Sequence, residues 1–455
     1  MFTHEKLQFL LKQYAASARF WVAYSGGLDS QVLLYALSRI VPAKRLRVIH
    51  VNHGWHVDSI KWANICQQTS EKLGIYCEVI PVDAHPKSGE SPEAYARDAR
   101  YGVMAKRIPS GDFLLTAHHR NDQAETLLLQ LLRGAGLRGL ASMPFCQAFS
   151  KAYLIRPLLD FTRKELYEYA QEHQLTWIED DSNKDLRLNR NFIRHQVMPF
   201  IQQRWPQADK TIARAAANLA EANSLLDEVA HQDWCFVRGP ATNILIISNL
   251  KKLTSMRRNN VLRYWLKQLH FSLPSQKQLQ QIDVLLKSRI DASPRVNWGD
   301  IQLRRYRDCL YALNLVENEK LFRVGFTAWK LGQTVTLPTL DQLTSKQVLG
   351  TGLSYSLLKE QQVDVAFRQG GERFYASNHQ GSHPLKKLFQ EWGVPPWLRN
   401  KLPLIYYQKE LIAVVGYDID PRFAAKQNEL GFVIECIPKF PNSELLNDIK
   451  QALIN

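Results

Sequence analysis

The chain is poor in cysteine. Its 455 residues hold six, at positions 66, 77, 146, 235, 309 and 436, and no two form a C-x-x-C pair. That scatter argues against a disulfide framework and a cysteine-based zinc cluster, and suits buried thiols in a reducing compartment. No apolar run reaches the ~18 residues of a membrane-spanning helix. The N-terminus also lacks the basic, apolar, small-residue order of a secretion signal. A soluble, cytoplasmic protein with no membrane partner is expected. Acidic residues are in deficit, 43 against 58 Lys+Arg, for a formal net charge of +15. Such a balance suits an anionic polymeric partner. No internal repeat and no low-complexity tract is seen, and a chain this long divides into about three domains.

The stretch Phe20 to Ser30, FWVAYSGGLDS, contains no lysine, so it is not the Gly-x-x-x-x-Gly-Lys phosphate loop. It is nonetheless a phosphate-binding layout. An apolar run from Trp21 to Tyr24 reads as a buried strand, Ser25 to Ser30 as a turn, and Gln31 to Arg39 has helical periodicity. Glycines let the backbone approach phosphate oxygens, amides point at them, and the helix N-terminus adds partial positive charge. Asp29 would repel a naked phosphate, so a magnesium ion between the two is the natural reading. Ser25, Gly26, Gly27, Leu28, Asp29 and Ser30 together resemble the loop of enzymes that split ATP into AMP and pyrophosphate.

Strand and helix patterns alternate over residues 1–205. Strands are expected at 46–52, 76–82, 113–117 and 154–159, and helices at 59–73, from Ser91 onward, at 122–132 and at 163–173. Such alternation implies an α/β domain with a parallel sheet covered by helices on both faces. Ligands of such sheets sit beyond the carboxyl ends of the strands. The other motifs lie at those ends. Asp122 and Glu125 are three apart and share a helix face, where they would hold a cation, magnesium or an amino group. His118 and His119 precede them, suited to contact phosphate or move protons. The run His50 to His56 is better read as polar lining of a nucleotide site than as zinc ligands, since no cysteine or carboxylate completes a shell. Arg97 and Arg100 on one helix either make helical salt bridges or neutralise phosphate. Arg194 is a further candidate for facing the site.

Residues 206–330 read as a largely helical region, with a long alanine-rich helix candidate from Thr211 to Val229. Residues 238–330 carry 17 Lys/Arg against 6 Asp/Glu. Lys251-Lys252, Arg257-Arg258 and Arg304-Arg305-Tyr306-Arg307 form its clusters, with Tyr264, Trp265 and Tyr306 interleaved, a pattern that favours phosphate-backbone contact. Residues 331–360 are polar, with Thr, Gly and Pro punctuation, and read as a linker. A small α+β domain is expected at 361–436 and a tail at 437–455.

Taken together, the motifs resemble the tRNA(Ile)-lysidine synthase family over nearly the whole chain. The resemblance rests on 25–30, 50–54, 93–101, 118–125, Arg133-Gly134-Ala135-Gly136, Arg156-Pro157-Leu158-Leu159, 190–194, and the C-terminal 385–389 and 395–399 stretches. It implies an ATP-using ligase, with magnesium, that joins free L-lysine to C2 of the wobble cytidine of a tRNA(Ile) with a CAU anticodon, and needs no obligate protein partner. It further implies that the 25–30 loop, His50, His53 and His118 contact nucleotide, and that Asp29 holds magnesium. Asp122 and Glu125 would bind the lysine ammonium, and Arg97 and Arg194 stabilise phosphate charge. Arg257, Arg258, Arg304, Arg305, Lys386, Lys387 and Arg399 would grip the tRNA. The family often has two aspartates where this chain has Asn121-Asp122.

Overall fold

The computed structural model describes residues 1–14, 18–54, 57–82, 92–289, 294–315, 325–337 and 341–437. The expected cap Ser91, His56 and the tail beyond 437 lie outside the described residues. No helix among the described residues is long and apolar enough to cross a membrane. The chain divides into two compact units, Met1–Leu225 and Leu226–Asn455.

The first unit is built on six strands: β1 Phe20–Ala23, β2 Leu46–Asn52, β3 Tyr76–Pro81, β4 Phe113–Leu115, β5 Cys146–Phe149 and β6 Ala152–Ile155. Their order is β3-β2-β1-β4-β6-β5. All neighbours pair in parallel except β5 and β6, a hairpin that the alternation of strands and helices did not announce. The helices are α1 His4–Leu11, α2 Leu28–Ile40, α3 Ser59–Lys72, α4 Pro92–Arg107, α5 Arg120–Leu132, α6 Leu137–Leu140, α7 Arg163–Glu172 and α8 Asn189–Phe192. Side chains alternate across each strand, and the two faces carry separate cores. Phe20, Val22, Leu46, Val48, Leu115 and Ile155 join one core with α1, α2 and α7. Trp21, Ile49, Val51, Leu114 and Leu154 join the other with Met104 and Ile108 of α4 and its exit. The Trp21 indole donates to Asp112 at 2.9 Å, which satisfies its buried N–H. Leu33, Leu34 and Leu37 of α2 are fully buried, each contributing about 1.5–3 kcal/mol.

Strand order reverses at β1, which has β2 on one side and β4 on the other. A crevice opens at such a point beyond the strand ends. The turns leaving β1 and β4 carry the glycine motif and the His118-His119 motif, so both are delivered to that crevice.

The first unit also holds α9 Met198–Arg204 and the start of the long helix α10, Ala208–Val237, whose last residues belong to the second unit; there follow α11 Ile247–Lys252, α12 Ser255–Gln268 and α13 Gln276–Lys287. A four-stranded antiparallel sheet accompanies them: β7 Ile244–Ile246, β8 Arg295–Trp298, β9 Ile301–Tyr306 and β10 Cys309–Asn314, ordered β7-β10-β9-β8. These strands are too short for a period-two pattern to stand out from flanking turns. Their core holds Trp265, Leu279, Ile282, Leu303 and Leu310.

In the segment expected as a linker, 331–360, the described residues are instead structured. Leu331, Leu337, Leu343, Leu353 and Leu358 belong to the C-terminal core. Strand Gln342–Leu349 pairs along its whole length with Leu430–Ile437. It is mostly exposed, which accounts for its polar composition. A second, five-stranded sheet runs in the order 327–330, 362–367, 403–407, 410–414, 418–419, beside the helix Leu385–Glu391.

Candidate active site

The turn between β1 and α2 is held by its own serines. Ser25 N–H donates to Ser30 Oγ at 3.2 Å, and Ser30 Oγ donates to Gly27 C=O at 3.0 Å. The two hydroxyls lie 3.0 Å apart. Gly26 has φ +83°, a left-handed conformation that strains any other residue. A Cβ there would come within 2.5 Å of Ile178 Cδ1 and 2.9 Å of Cys66 Sγ. Ile178 N–H in turn donates to Gly26 C=O at 2.9 Å, so the 177–183 segment roofs the turn. Gly27 is the N-cap of α2 and no side chain caps that end. The amides of that helix end, with the helix dipole, are suited to an anion.

Asp29 stands in the first turn of α2. Its Oδ1 is buried and has no hydrogen-bond partner, while Oδ2 lies 3.6 Å from His119 Nε2. A buried carboxylate oxygen without a donor is costly and is suited to a hard cation. Magnesium takes one or two carboxylates plus phosphate oxygens, so the residues present fit it.

His119 caps α5 reciprocally with Asp122: Asp122 N–H donates to His119 Nδ1 at 3.4 Å and His119 N–H to Asp122 Oδ2 at 2.9 Å. Burial opposes charge on His119, yet Asp122 and Asp29 outweigh it and raise its pKa. Asp122 and Glu125, one helical turn apart, meet two arginines. Arg190 donates to Asp122 Oδ1 at 2.9 Å and to Glu125 Oε2 at 3.0 Å. Arg194 donates to Asp122 Oδ1 at 2.9 Å and to Glu125 Oε1 and Oε2 at 2.7 and 2.9 Å. Every carboxylate oxygen of the pair is thereby occupied. Burial works against ionisation of Asp122, but His119 and the arginines hold its pKa well below the usual carboxylate range. The residues after α8, Ile193–Val197, wind as a π-helical turn, and Arg190 and Arg194, four apart, share a helix face.

Asp29, Asp122, Arg190 and Arg194 open onto a cavity of about 810 Å³, lined also by the glycine turn, His50, His53, Arg100, His118 and Glu179 among others. That size suits a nucleotide-like ligand. His50 is buried, its pKa lowered by burial, and its Nδ1 bonds the Tyr24 carbonyl at 2.9 Å, so the neutral ring carries its proton there. His53 is lowered to about 4, by burial and then by Arg100 and His50. Burial pushes His118 down to about 3, with Asp122 opposing and Arg190 reinforcing; its Nδ1 lies 2.8 Å from Thr116 Oγ1. His118 is therefore neutral at physiological pH, a proton acceptor or hydrogen-bond partner but not a cation for phosphate.

Arg97 and Arg100 both lie over the Tyr101 ring, at 5.2 and 5.6 Å. The side chain of Glu93, the acid that would make a helical salt bridge with Arg97, lies outside the described residues. Arg100 lines the cavity while Arg97 does not. Burial lowers the Arg100 pKa, and Arg97 and Arg190 push the same way, as expected of a cation awaiting an anion. Asn121 faces elsewhere: its Oδ1 accepts from Arg163 N–H at 3.0 Å, at the start of α7. From sequence, Arg190 enters only as part of the 190–194 motif, with a role given to Arg194 alone, and the acidic run 179–183 reads as a loop and helix cap. The four-residue spacing of Arg190 and Arg194, matching the three-residue spacing of the acids, was the available signal.

The expected RNA-facing residues divide. Arg257 pairs with Asp233 at 2.6 Å and Arg258 with Asp283 at 3.0 Å. Arg305 and Arg399 are buried. Arg305 donates to the carbonyls of Leu286 and Ser288, and Arg399 to that of Val394, so both guanidiniums serve the fold. Arg304 lies over the Trp397 ring at 5.1 Å. Lys386 and Lys387 are exposed on the helix Leu385–Glu391.

Residues 2–201 match the family model for a PP-loop domain, 245–311 that for the TilS substrate binding domain, and 363–436 that for the TilS substrate C-terminal domain. The chain is similar to curated proteins called tRNA(Ile)-lysidine synthase. It is 41% identical to one from Coxiella burnetii, over 96% of this chain and 97% of the relative. It is 38% identical to one from Alkalilimnicola ehrlichii, over 89% and 91%. It is 40% identical to one from Legionella pneumophila, over 88% and 92%.

Proposed function

The chain belongs to the tRNA(Ile)-lysidine synthase family, an ATP-dependent ligase that forms lysidine on tRNA(Ile), and from that premise we propose how its residues divide the reaction. The wobble cytidine of a CAU anticodon enters the cavity out of its stack, as base-modifying enzymes require. Its 2-carbonyl oxygen attacks the α-phosphorus of ATP and pyrophosphate leaves. The ε-amine of free lysine then attacks C2, AMP leaves, and the base gains a pairing edge for A in place of G.

The 25–30 turn holds the pyrophosphate through its amides and the Ser25 and Ser30 hydroxyls. Arg100 adds charge from the opposite wall. Magnesium, when bound by Asp29, spreads the negative charge that develops on the phosphates. His50 and His118, both neutral, accept or donate hydrogen bonds to the nucleotide without repelling the arginines. The attacking amine must lose a proton, and the Asp122–Glu125 pair is the acceptor nearest its path. Those acids are saturated by Arg190 and Arg194, so a lysine ammonium reaches them by exchange with a guanidinium. The exchange conserves charge at the pair and frees an arginine for the phosphate.

The observation that carries this reading is the meeting of the glycine turn, the unpaired Asp29 oxygen and Asp122, backed by Glu125, at one cavity. Its test is incorporation of labelled free lysine into a tRNA(Ile) transcript with a CAU anticodon. Incorporation that needs ATP and is lost when the wobble C is changed supports it. Pyrophosphate release without lysine transfer would leave the loop assignment standing and remove lysine as acceptor.

A further inference from the structure

His119 is fully buried, and its capping of α5 uses only one of its two ring nitrogens. Nδ1 accepts the Asp122 N–H at 3.4 Å, so Nε2 carries a ring proton. Nε2 is buried and has no hydrogen-bond partner. It lies between two carboxylates, 3.6 Å from Asp29 Oδ2 and 3.5 Å from Asp122 Oδ2. Both contacts are long for an N–H···O bond, whose usual length is about 2.9–3.0 Å. Buried donors in folded proteins are almost always satisfied, so an unused proton held between two acids calls for a task.

The two acids are not equally in need of it. Asp122 Oδ1 accepts from Arg190 and Arg194, and its Oδ2 accepts the His119 backbone N–H at 2.9 Å. Asp29 has a buried Oδ1 with no partner, and its Oδ2 faces His119 Nε2. A closure of about 0.6 Å would turn that approach into a hydrogen bond. The ring is held for it, because Nδ1 and the backbone N–H are both engaged in the α5 cap. A carboxylate that takes a cation through one oxygen is aimed by a donor on the other. Asp29 lies in the first turn of α2 and His119 between β4 and α5, so the contact ties together the two turns at the reversal of strand order.

We propose that His119 is a positioning residue, whose Nε2–H holds Asp29 Oδ2 and leaves Oδ1 directed at magnesium. The proposal rests on the reading of Asp29 as the magnesium ligand. It gives the second histidine of the pair a task distinct from that of the first. His118 lines the cavity, whereas His119 stands behind Asp29 and Asp122, which do.

The test separates the donor from the cap. In His119→Asn the amide oxygen stands in for Nδ1 and keeps the cap, but no group reaches the place of Nε2. In His119→Gln the amide nitrogen stands in for Nε2 and the cap is lost. The full chain and each variant are titrated with magnesium in the presence of an ATP analogue whose α- and β-phosphorus are joined by a methylene bridge. Neither tRNA nor lysine is added, nucleotide binding is read by calorimetry, and every titration is run below the unfolding transition of that variant. The magnesium concentration for half-maximal binding should rise about tenfold or more in His119→Asn, as loss of a partner to a metal ligand does, and far less in His119→Gln. A wild-type magnesium requirement in His119→Asn would overturn the proposal. So would an equal rise in both variants, because the effect would then follow the packing of the ring and not its donor. Asp29→Asn tests the premise. A wild-type requirement in that variant would strike Asp29 as the ligand and the proposal with it, whereas a raised requirement there beside an unchanged His119→Asn strikes the proposal alone.

Discussion

Replacing Glu125 with glutamine isolates the buried charge network at the cavity. Glu125 is 2% exposed and accepts from Arg190 Nε at 3.0 Å and from Arg194 Nε and Nη2 at 2.7 and 2.9 Å. The amide keeps the shape but offers one acceptor oxygen, two unwanted donors and no charge. Two guanidiniums, 19% and 22% exposed, then depend on Asp122 alone. Breaking a buried ion pair from one side costs about 3–5 kcal/mol, and partial exposure of the arginines argues for the lower end. At ~2–4 °C per kcal/mol for a unit of this size, the melting temperature should fall by roughly 6–12 °C. If a lysine ammonium docks by exchange at the same acids, the KM for lysine should also rise by about one to two orders of magnitude. Pyrophosphate release, measured at 20 °C where the variant is still folded, should persist. Differential scanning fluorimetry and a two-step assay read both outcomes. A variant that melts with wild type and keeps its lysine KM would refute the network as described and the exchange together.

Gly26→Ala should lose ATP-dependent pyrophosphate release and about 1–3 kcal/mol of stability, since the left-handed backbone is strained and the new methyl meets Ile178 and Cys66; urea denaturation with a pyrophosphate assay checks both. His118 gives a pH signature. Its folded pKa is depressed to about 3 against ~6.5 unfolded, so below ~6.5 the unfolded chain takes up a proton that the folded one refuses. Stability is then full above ~6.5 and falls toward pH 3, by up to ~1.4 kcal/mol per pH unit, and His118→Gln should flatten that slope between pH 6 and 4 in denaturation curves. Asn121→Asp should keep the acceptor for Arg163 N–H and add a charge favourable to the start of α7, for a gain of a few tenths of a kcal/mol. Its lysine KM should stay at the wild-type value, and a marked change would give position 121 a place in the site.

The sequence made the first unit legible because its signals are local. A strand, a glycine turn and a helix lie within twenty residues of one another, and the helix spacing of Asp122 and Glu125 needs no partner to be read. What escaped depends on distant partners. Arg190 and Arg194 meet the acids from 65 to 72 positions away, so the 190–194 motif gave no sign of which groups its arginines would meet. Residues 342–349 looked like linker because the strand is exposed and its partner, 430–437, lies far along the chain. Basic clusters are ambiguous in a third way. Arg257, Arg258, Arg305 and Arg399 count equally toward charge in a sequence, but Arg305 and Arg399 are buried against carbonyls whereas Arg257 and Arg258 each pair with an aspartate. Only the fold distinguishes them.

The helical spacing of Arg190 and Arg194 has a consequence for how this chain can change over generations. In a regular helix each residue advances about 100°, so removing or adding one residue between positions 190 and 194 would rotate Arg194 off the acids by that angle. Substitutions nearby, at the exposed Phe192 for example, leave the spacing intact. The stretch is open to spelling changes and closed to changes of length, and lineages that alter the loop before it at 181–188 should still count four residues from Arg190 to Arg194.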